Sequence, residues 1–469
     1  RPLCVTAAYS SVLLAALCYL YAPAALAEPP DAASSAASKA ADGVASADSV
    51  PAEATPAAAE QRAFYGQMTN VTQHHARFHS PYSGANSLDA GGSTEETTDI
   101  TLYAGWRLWR DAELWLNPEI DQGFGLGNTV GMAGFPSGEA YKVGASKPYL
   151  RLPRIFVRQT VMLGGAPGTL EAAPNQLGGA TGANNLTLTV GKFSVTDIFD
   201  SNRYAHDPRA DFLNWSIIDA GAFDYAADAW GFTYGLAAEL TLDAWTVRGG
   251  VFQLSPAPNG KVVAVDFNQY MAVSELERRY RWQSHEGKIK LLVFVNRASM
   301  GGYAEALQLA ALDGGAPDTA LVRRRASRPG VALNLEQELS ADLGLFARAS
   351  ANRGDKEAYE FTEINRSLSA GVALKGNQWG RAADTVGLAA AVNSLSGAAR
   401  AYFAAGGNGI LIGDGQLRYA PEKIVEAYYL ARLAAHLTLS ADFQRASNPA
   451  YNRDRGPVSI YALRLHADW

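Results

Sequence analysis

Apolar and polar residues alternate with a period of two from about residue 63 to Trp469. At 98–109, Ile100, Leu102, Ala104, Trp106 and Leu108 interleave with Asp99, Thr101, Tyr103, Gly105 and Arg107. At 112–121, Leu114, Leu116 and Ile120 alternate with Glu113, Asn117, Glu119 and Asp121. Successive strand residues point to opposite faces, whereas a helix needs apolar residues at i, i+3 and i+4. The spacing predicts about sixteen strands, near 63–75, 98–109, 112–121, 152–163, 185–193, 228–240, 244–254, 269–281, 288–296, 330–339, 342–350, 366–375, 384–394, 424–432, 437–444 and 458–469.

The predicted connections alternate in length. Long ones fall at 76–97, 122–151, 194–227, 255–268, 297–329, 351–365, 395–423 and 445–457, and short ones include 110–111, 241–243, 282–287, 340–341 and 433–436. The stretch 164–184 breaks the rule, because it is due to be short but is long and Gly-rich. It reads either as a miscounted strand or as a turn carrying an excursion. Long loops on one side, short turns on the other and an even strand count are the signature of an outer-membrane barrel. The apolar faces are free of charge, and the opposite faces mix Arg, Lys, Glu and Asp, which a dry core could not hold unpaired. The fold class expected is therefore all-β: a transmembrane antiparallel β-barrel of about sixteen strands, with lipid outside and a wet lumen inside. A soluble sandwich shares the period but gives no reason for the loop alternation.

The two ends agree. Tyr461, Leu463, Leu465 and Trp469 share the apolar face of the last strand and read as an assembly signal for the barrel-assembly machinery. Residues 10–22 are apolar and lead to Ala25-Leu26-Ala27, so 1–27 read as a secretory signal peptide. Residues 28–62, rich in Ala, Pro and Ser, lack the large apolar side chains that offset ordering entropy and are expected to be a disordered periplasmic lead. The barrel domain is expected over 63–469.

Composition removes several classes. The two cysteines, Cys4 and Cys18, fall in the signal, so thiolate zinc sites and cysteine nucleophiles are excluded from the mature chain. After residue 62 no run of eighteen apolar residues occurs, which excludes helical spans. A net charge of -6 gives no nucleic-acid signal. His74 and His75 point to opposite faces of one strand and cannot chelate one ion together. The Gly-rich run 406–413 lacks the lysine of a phosphate loop. No cofactor or metal is expected, and no catalytic constellation stands out.

Placing the apolar faces in lipid puts Glu119, Asp121, Arg154, Arg158, Arg248 and Arg348 in the lumen, with about half of all lumen charges expected to pair across neighbouring strands. The loop 194–227 follows the fifth predicted strand, where sixteen-stranded barrels commonly fold a loop inward to narrow the channel, and is expected to be that constriction loop. It holds Asn202, Arg203, Tyr204, Asp207, Arg209, Asp211, Asn214 and Trp215. Planar polar groups beside aromatic rings suit sugars, whose hydroxyls take paired hydrogen bonds while their C–H faces lie on rings. The same composition also suits an ordinary solvated loop. Arg323–Arg325 and Arg328 read as a solvated loop cluster or as a contact for lipopolysaccharide phosphates. Glu119 and Asp121, two apart on one face, keep a secreted carbohydrate-binding protein or glycosidase open as a remote alternative.

Several longer stretches carry a specific resemblance. Asn117-Pro-Glu-Ile-Asp-Gln-Gly-Phe-Gly, Gly134-Phe-Pro-Ser-Gly-Glu-Ala-Tyr-Lys-Val-Gly and Val190-Gly-Lys-Phe-Ser-Val-Thr-Asp-Ile-Phe-Asp resemble the carbohydrate-selective porin family, OprB. So do Asn202-Arg-Tyr-Ala-His-Asp-Pro-Arg, Asp211-Phe-Leu-Asn-Trp and Pro449-Ala-Tyr-Asn-Arg-Asp-Arg-Gly-Pro-Val. The resemblance spans about 63–469 and implies a sixteen-stranded outer-membrane barrel of a Gram-negative bacterium, monomeric or trimeric, for diffusive sugar uptake. It further implies an arginine-rich constriction, falling here on Arg154, Arg158, Arg203 and Arg209 with Glu119 and Asp121 nearby. A general or anion-preferring porin is the alternative of the same class. The last residue is Trp469 where the family usually has Phe, and the lead at 28–62 lies outside the resemblance.

Overall fold

A computed structural model describes residues 59–140 and 144–469. The expected signal peptide, and the lead as far as residue 58, lie outside the described residues. Sixteen strands form one closed antiparallel barrel in which each strand pairs with its sequence neighbours and β1 pairs with β16. They are β1 (Arg62–His75), β2 (Ser93–Trp109), β3 (Ala112–Gly123), β4 (Ala145–Leu170), β5 (Gly179–Phe193), β6 (Thr233–Leu242), β7 (Trp245–Gln253), β8 (Tyr270–Trp282), β9 (His285–Met300), β10 (Arg324–Glu338), β11 (Leu343–Asn352), β12 (Arg366–Gly376), β13 (Arg381–Ser394), β14 (Glu422–Ala434), β15 (Leu437–Ser447) and β16 (Val458–Asp468).

Burial is inverted relative to a soluble protein. Phe64, Leu102, Leu150, Leu236, Leu291 and Leu463 are exposed on the outer wall, while Glu119, Asp121, Glu275, Glu426 and Arg464 are buried within it. Lipid rather than water must therefore meet the outside. Trp109, Trp245, Trp282, Trp379 and Trp469 are exposed beside the short turns or the chain end. They form an aromatic belt at that mouth, where an indole can keep its ring in lipid and its N–H in the headgroup region. By the loop-length rule this short-turn mouth is periplasmic.

Two expectations need correction, and one left open is decided for the turn that carries an excursion. First, 228–240 is not one strand. Residues 228–232 belong to the preceding loop, and Phe232 turns into the lumen instead of sharing an outer face with Leu236. The open one is 164–184, which holds no extra strand. β4 and β5 continue as a hairpin ladder past Gly164 and Gly165 to the pair Leu170 and Gly179, leaving 171–178 as its turn. Second, the lead is anchored where it meets the barrel. Glu60 N donates to Gly178 O at 3.1 Å, the Glu60 side-chain Oε2 accepts from Gly178 N at 2.9 Å, and Arg62 already opens β1.

The long loops fill the upper barrel with a core of their own. Trp215 stacks between Phe135 and Phe361, with centroids 5.0 and 4.6 Å away, and Tyr225 packs on both Trp215 and Phe361. Such aromatic contacts tie the second, third and sixth long connections together inside the wall.

Candidate functional site

The third long connection, 194–232 (L3), runs along the inside of the barrel and is pinned there by buried carboxylates. Asp200 takes hydrogen bonds from Arg348 Nε (3.2 Å), Asn334 Nδ2 (2.7 Å) and Ala220 N (2.6 Å). Asp224 takes Arg328 Nη1 (2.5 Å) and the backbone amides of Tyr359 and Glu360 (2.8 and 2.9 Å). From the wall, Glu426 accepts the amides of Leu213 and Asn214 at 2.5 and 3.0 Å. A carboxylate that accepts several donors in a dry site loses them only at the cost of an uncompensated buried charge. L3 is therefore a fixed part of the channel wall.

Held in this way, L3 narrows the lumen around a cavity of about 350 Å³. Arg151, Arg154 and Arg209 line it, with Tyr103, Trp215, Trp230 and Phe232. Each guanidinium is fixed by carboxylates. Arg151 bonds both Glu119 and Asp121. Arg154 grips Asp197 with two parallel bonds, Nε to Oδ2 at 2.8 Å and Nη2 to Oδ1 at 2.6 Å. Arg209 Nη2 lies 3.4 Å from both Asp99 Oδ1 and Glu139 Oε2. Phe232 lies between two of these cations, its centroid 5.1 Å from Arg151 Cζ and 4.8 Å from Arg154 Cζ. The cation–ring contacts hold the guanidinium planes against the wall.

Among the L3 groups, burial raises the Asp197 carboxyl, but the Arg154 guanidinium outweighs it and holds the acid below its usual value. Asp207 behaves in the same way beside Arg209. Burial and the nearby Arg348 cation lower His206, so it is neutral at pH 7. The negative groups around the cavity thus stay charged at Asp197 and Asp207, and the arginines face fixed anions.

The residues expected from sequence do not form one cluster. Glu119, Asp121, Arg154, Asp207, Arg209 and Trp215 gather at this cavity. Arg158 lies in a larger cavity of about 730 Å³ nearer the short turns, bonded to Glu113 Oε1 at 2.8 Å. Arg203, Tyr204 and Asp211 line smaller recesses, two of about 360 and 160 Å³, beside the turns at 243 and 340. Four others are corrected to wall and loop supports. Asn214 is fully buried, bonded to Gln444 and to the Gly134 carbonyl. Asn202 bonds Asn334, Arg348 holds Asp200, and Arg248 is taken by Glu239, Glu275 and Glu277. Pairing is also wider than half. Of the six lumen charges named above, Glu119, Asp121, Arg158 and Arg248 pair across neighbouring strands, whereas Arg154 and Arg348 pair with Asp197 and Asp200 of L3. The cluster at 323–328 divides: Arg324 and Arg325 are exposed, as a solvated group would be, whereas Arg323 grips Glu357 and Arg328 is fully buried on Asp224.

Sequence reading missed Arg151, Asp99, Tyr103, Glu139, Trp230 and Phe232. Arg151 fell one residue before the predicted start of its strand, which in fact begins at Ala145. Nothing in the local pattern places Glu139, from the second long connection, against Arg209 of L3.

A closed barrel of sixteen antiparallel strands, charged inside, apolar outside and narrowed by an infolded loop, defines an outer-membrane porin. Within that class, the family model for the carbohydrate-selective porin, OprB family, matches residues 85–469, and the chain belongs to that family. It is a carbohydrate porin of the Gram-negative outer membrane. The high-pH structure of Pseudomonas putida OprB is similar, with a TM-score of 0.68 at 15% identity over 87% of this chain and 94% of that one. The low-pH structure of the same protein gives a TM-score of 0.48 at 12% identity over 87% and 93%. The outer-membrane channel DcaP of Acinetobacter baumannii gives 0.49 at 12% identity over 88% and 98%. No curated protein sequence matches the chain.

Proposed function

We propose that the chain passes monosaccharides and small oligosaccharides by diffusion through the constriction lined by Arg151, Arg154 and Arg209. The observation that carries this is the cavity of about 350 Å³, where three immobilised guanidiniums stand beside Tyr103, Trp230 and Phe232. Such a surface meets a sugar's hydroxyls with fixed donors and its C–H faces with rings. Fixed donors contribute without first losing side-chain freedom, and contacts must stay weak enough to release the solute. An anion-preferring pore is the poorer fit. Arg151 pairs with Glu119 and Asp121, Arg154 with Asp197, and Asp207 lies beside Arg209, so these carboxylates offset much of the positive charge that would draw anions. Residues 1–27 act in this reading as a cleaved signal peptide and 28–58 as a periplasmic lead, with outer-membrane lipid, lipopolysaccharide and the assembly machinery as the surroundings.

Single-channel conductance in a planar bilayer tests the reading, with glucose and then maltodextrins titrated in. A stepwise current that sugar reduces in a dose-dependent way supports it. A current indifferent to sugar leaves a general porin.

A further inference from the structure

The β4–β5 turn does not hang free below the barrel. The hairpin arms leave the wall at a break in register around Gly164 and Gly165, whose φ values are 99° and 83°. Backbone of that hand is readily open only to glycine, and a break in the ladder bends the strands. Beyond it the arms are exposed, but the tip returns to the barrel interior. Leu177 is buried in the same apolar cluster as Trp115 and Phe156, and its amide donates to Glu113 Oε2 at 2.9 Å. Arg158 Nη1 donates to the Asn175 carbonyl at 2.7 Å, and Asn117 Nδ2, from a fully buried wall residue, donates to Asn175 Oδ1 at 2.9 Å. The entering chain closes the tip from below, with Arg107 reaching Glu60 O at 2.8 Å and Gly178 O at 3.1 Å.

The tip borders both cavities. The cavity of about 350 Å³ at the arginines and the cavity of about 730 Å³ below it share Pro174 and Asn175 on one side and Asp197 and His206 of L3 on the other. Passage from one cavity to the other runs between these two pairs. We propose that the turn 171–178 is a second, periplasmic-side narrowing in series with L3, with Asn175 as a size-determining residue. It would favour single sugar rings over longer saccharides, since the channel would have two points of restriction along its length rather than one. The inference rests on the pore reading above, which the parent channel's own sugar-blocked current tests separately.

The experiment uses the full chain with Cys4→Ser and Cys18→Ser and one added cysteine, Asn175→Cys, in a planar bilayer. The probe is a thiol-reactive trimethylammonium reagent added at the short-turn mouth. We expect single-channel conductance to fall by about half or more on modification and to recover with reductant. Ser284→Cys, on the exposed β8–β9 turn, should react without a change in current. A full current from a channel whose Asn175→Cys thiol is shown by mass to be modified, or a thiol that does not react, overturns the proposal. In a second variant Asn-Gly replaces 165–182. It should admit trisaccharides to liposomes faster relative to glucose than the parent does. An unchanged size preference in a heat-modifiable barrel would overturn the proposal equally, and if this variant does not assemble the cysteine experiment decides.

Discussion

Gly66 and Trp469 close the barrel between them. Each donates its backbone N–H to the other's carbonyl at 3.0 Å, so the last residue extends the β1–β16 ladder by one pair. The Trp469 ring lies directly over Gly66, where a Cβ would collide with its indole atoms. Strand closure removes the final open edge, and in hydrocarbon an open edge leaves polar groups unsatisfied. Gly66→Leu should therefore weaken the seam while leaving each hairpin intact. The expected outcome is loss of the heat-modifiable band on gels, with Trp469→Phe assembling normally. A heat-modifiable Gly66→Leu barrel would refute this account of the seam.

A second prediction concerns L3. Arg348 is fully buried and contacts Asp200, Ile217 O and Ala205 O, so it holds three points of the loop at once. Removing one member of a buried pair costs about 3–5 kcal/mol, because the partner is left charged and dry. Arg348→Ala should release L3 from β11, and single-channel recordings should show a larger and noisier current. Arg348→Ala with the parent's current would show that L3 stands on its other anchors alone.

The barrel was largely legible in the sequence, and the constriction in part: the loop that folds inward and Arg154, Asp207, Arg209 and Trp215 were legible, while Arg151 and the aromatic rings beside it were not. Each of the sixteen strands sits over a predicted one, because lipid outside and charge inside impose a period of two that little else can mimic. The predicted strand 228–240 shows where this fails. Trp230 and Phe232 continue the alternation of Leu236, yet they lie in L3 and cover Arg151 and Arg154. Periodicity records which residues avoid water, and an apolar ring can do so against a lumen arginine as well as against lipid. The pairing of Arg209 with Asp99 and Glu139 joins three distant segments, and the identity of such partners is set by loop packing rather than by local pattern. Arginines on the polar faces were visible as lumen residues. Their division into constriction groups such as Arg154 and supports such as Arg248 depends on how many carboxylates take each guanidinium, Asp197 alone against Glu239, Glu275 and Glu277, which only the folded wall decides.

The constriction itself gives a third prediction. Arg154 offers two parallel bonds to Asp197 on one edge and lines the cavity with the rest of its guanidinium. Hydrogen bonds to a charged group contribute about 1.5–3 kcal/mol, so Arg154→Ala should weaken glucose block of the current by about tenfold or more. Lysine keeps the charge but not the planar fork, so Arg154→Lys should restore little of the effect. Half-block concentrations in a bilayer check both. Unchanged half-block in Arg154→Ala would move the sugar site away from this cavity.

A pH dependence follows from Asp219, which lies in L3 below Trp215. Its carboxyl is buried, with Tyr225 Oη donating to Oδ2 at 3.4 Å, while Oδ1 has His206 Nδ1 at 3.8 Å and no hydrogen-bond partner. Burial, then the negative Asp200, push its pKa up to about 8, against a smaller lowering pull from Arg348. His206 is itself held neutral by burial and gives no countercharge near pH 7. Glu363, buried in the sixth long connection, is likewise pushed up to about 7 by burial. A carboxyl with a raised pKa in the folded state binds more protons there than in the unfolded chain, so the slope of stability against pH is negative. Its stabilising share is complete below the ordinary carboxyl value of about 4, and for Asp219 it is lost progressively as pH rises to about 8. L3 should therefore be tightest in mild acid and loosen toward pH 8. Hydrogen exchange of L3 amides should speed up over that range beyond the intrinsic rise in exchange rate, and Asp219→Asn, which cannot ionise, should remove most of the excess. Equal protection factors for L3 at pH 5 and pH 8 in the parent protein would mean that Asp219 is ionised throughout and that Arg348 compensates it.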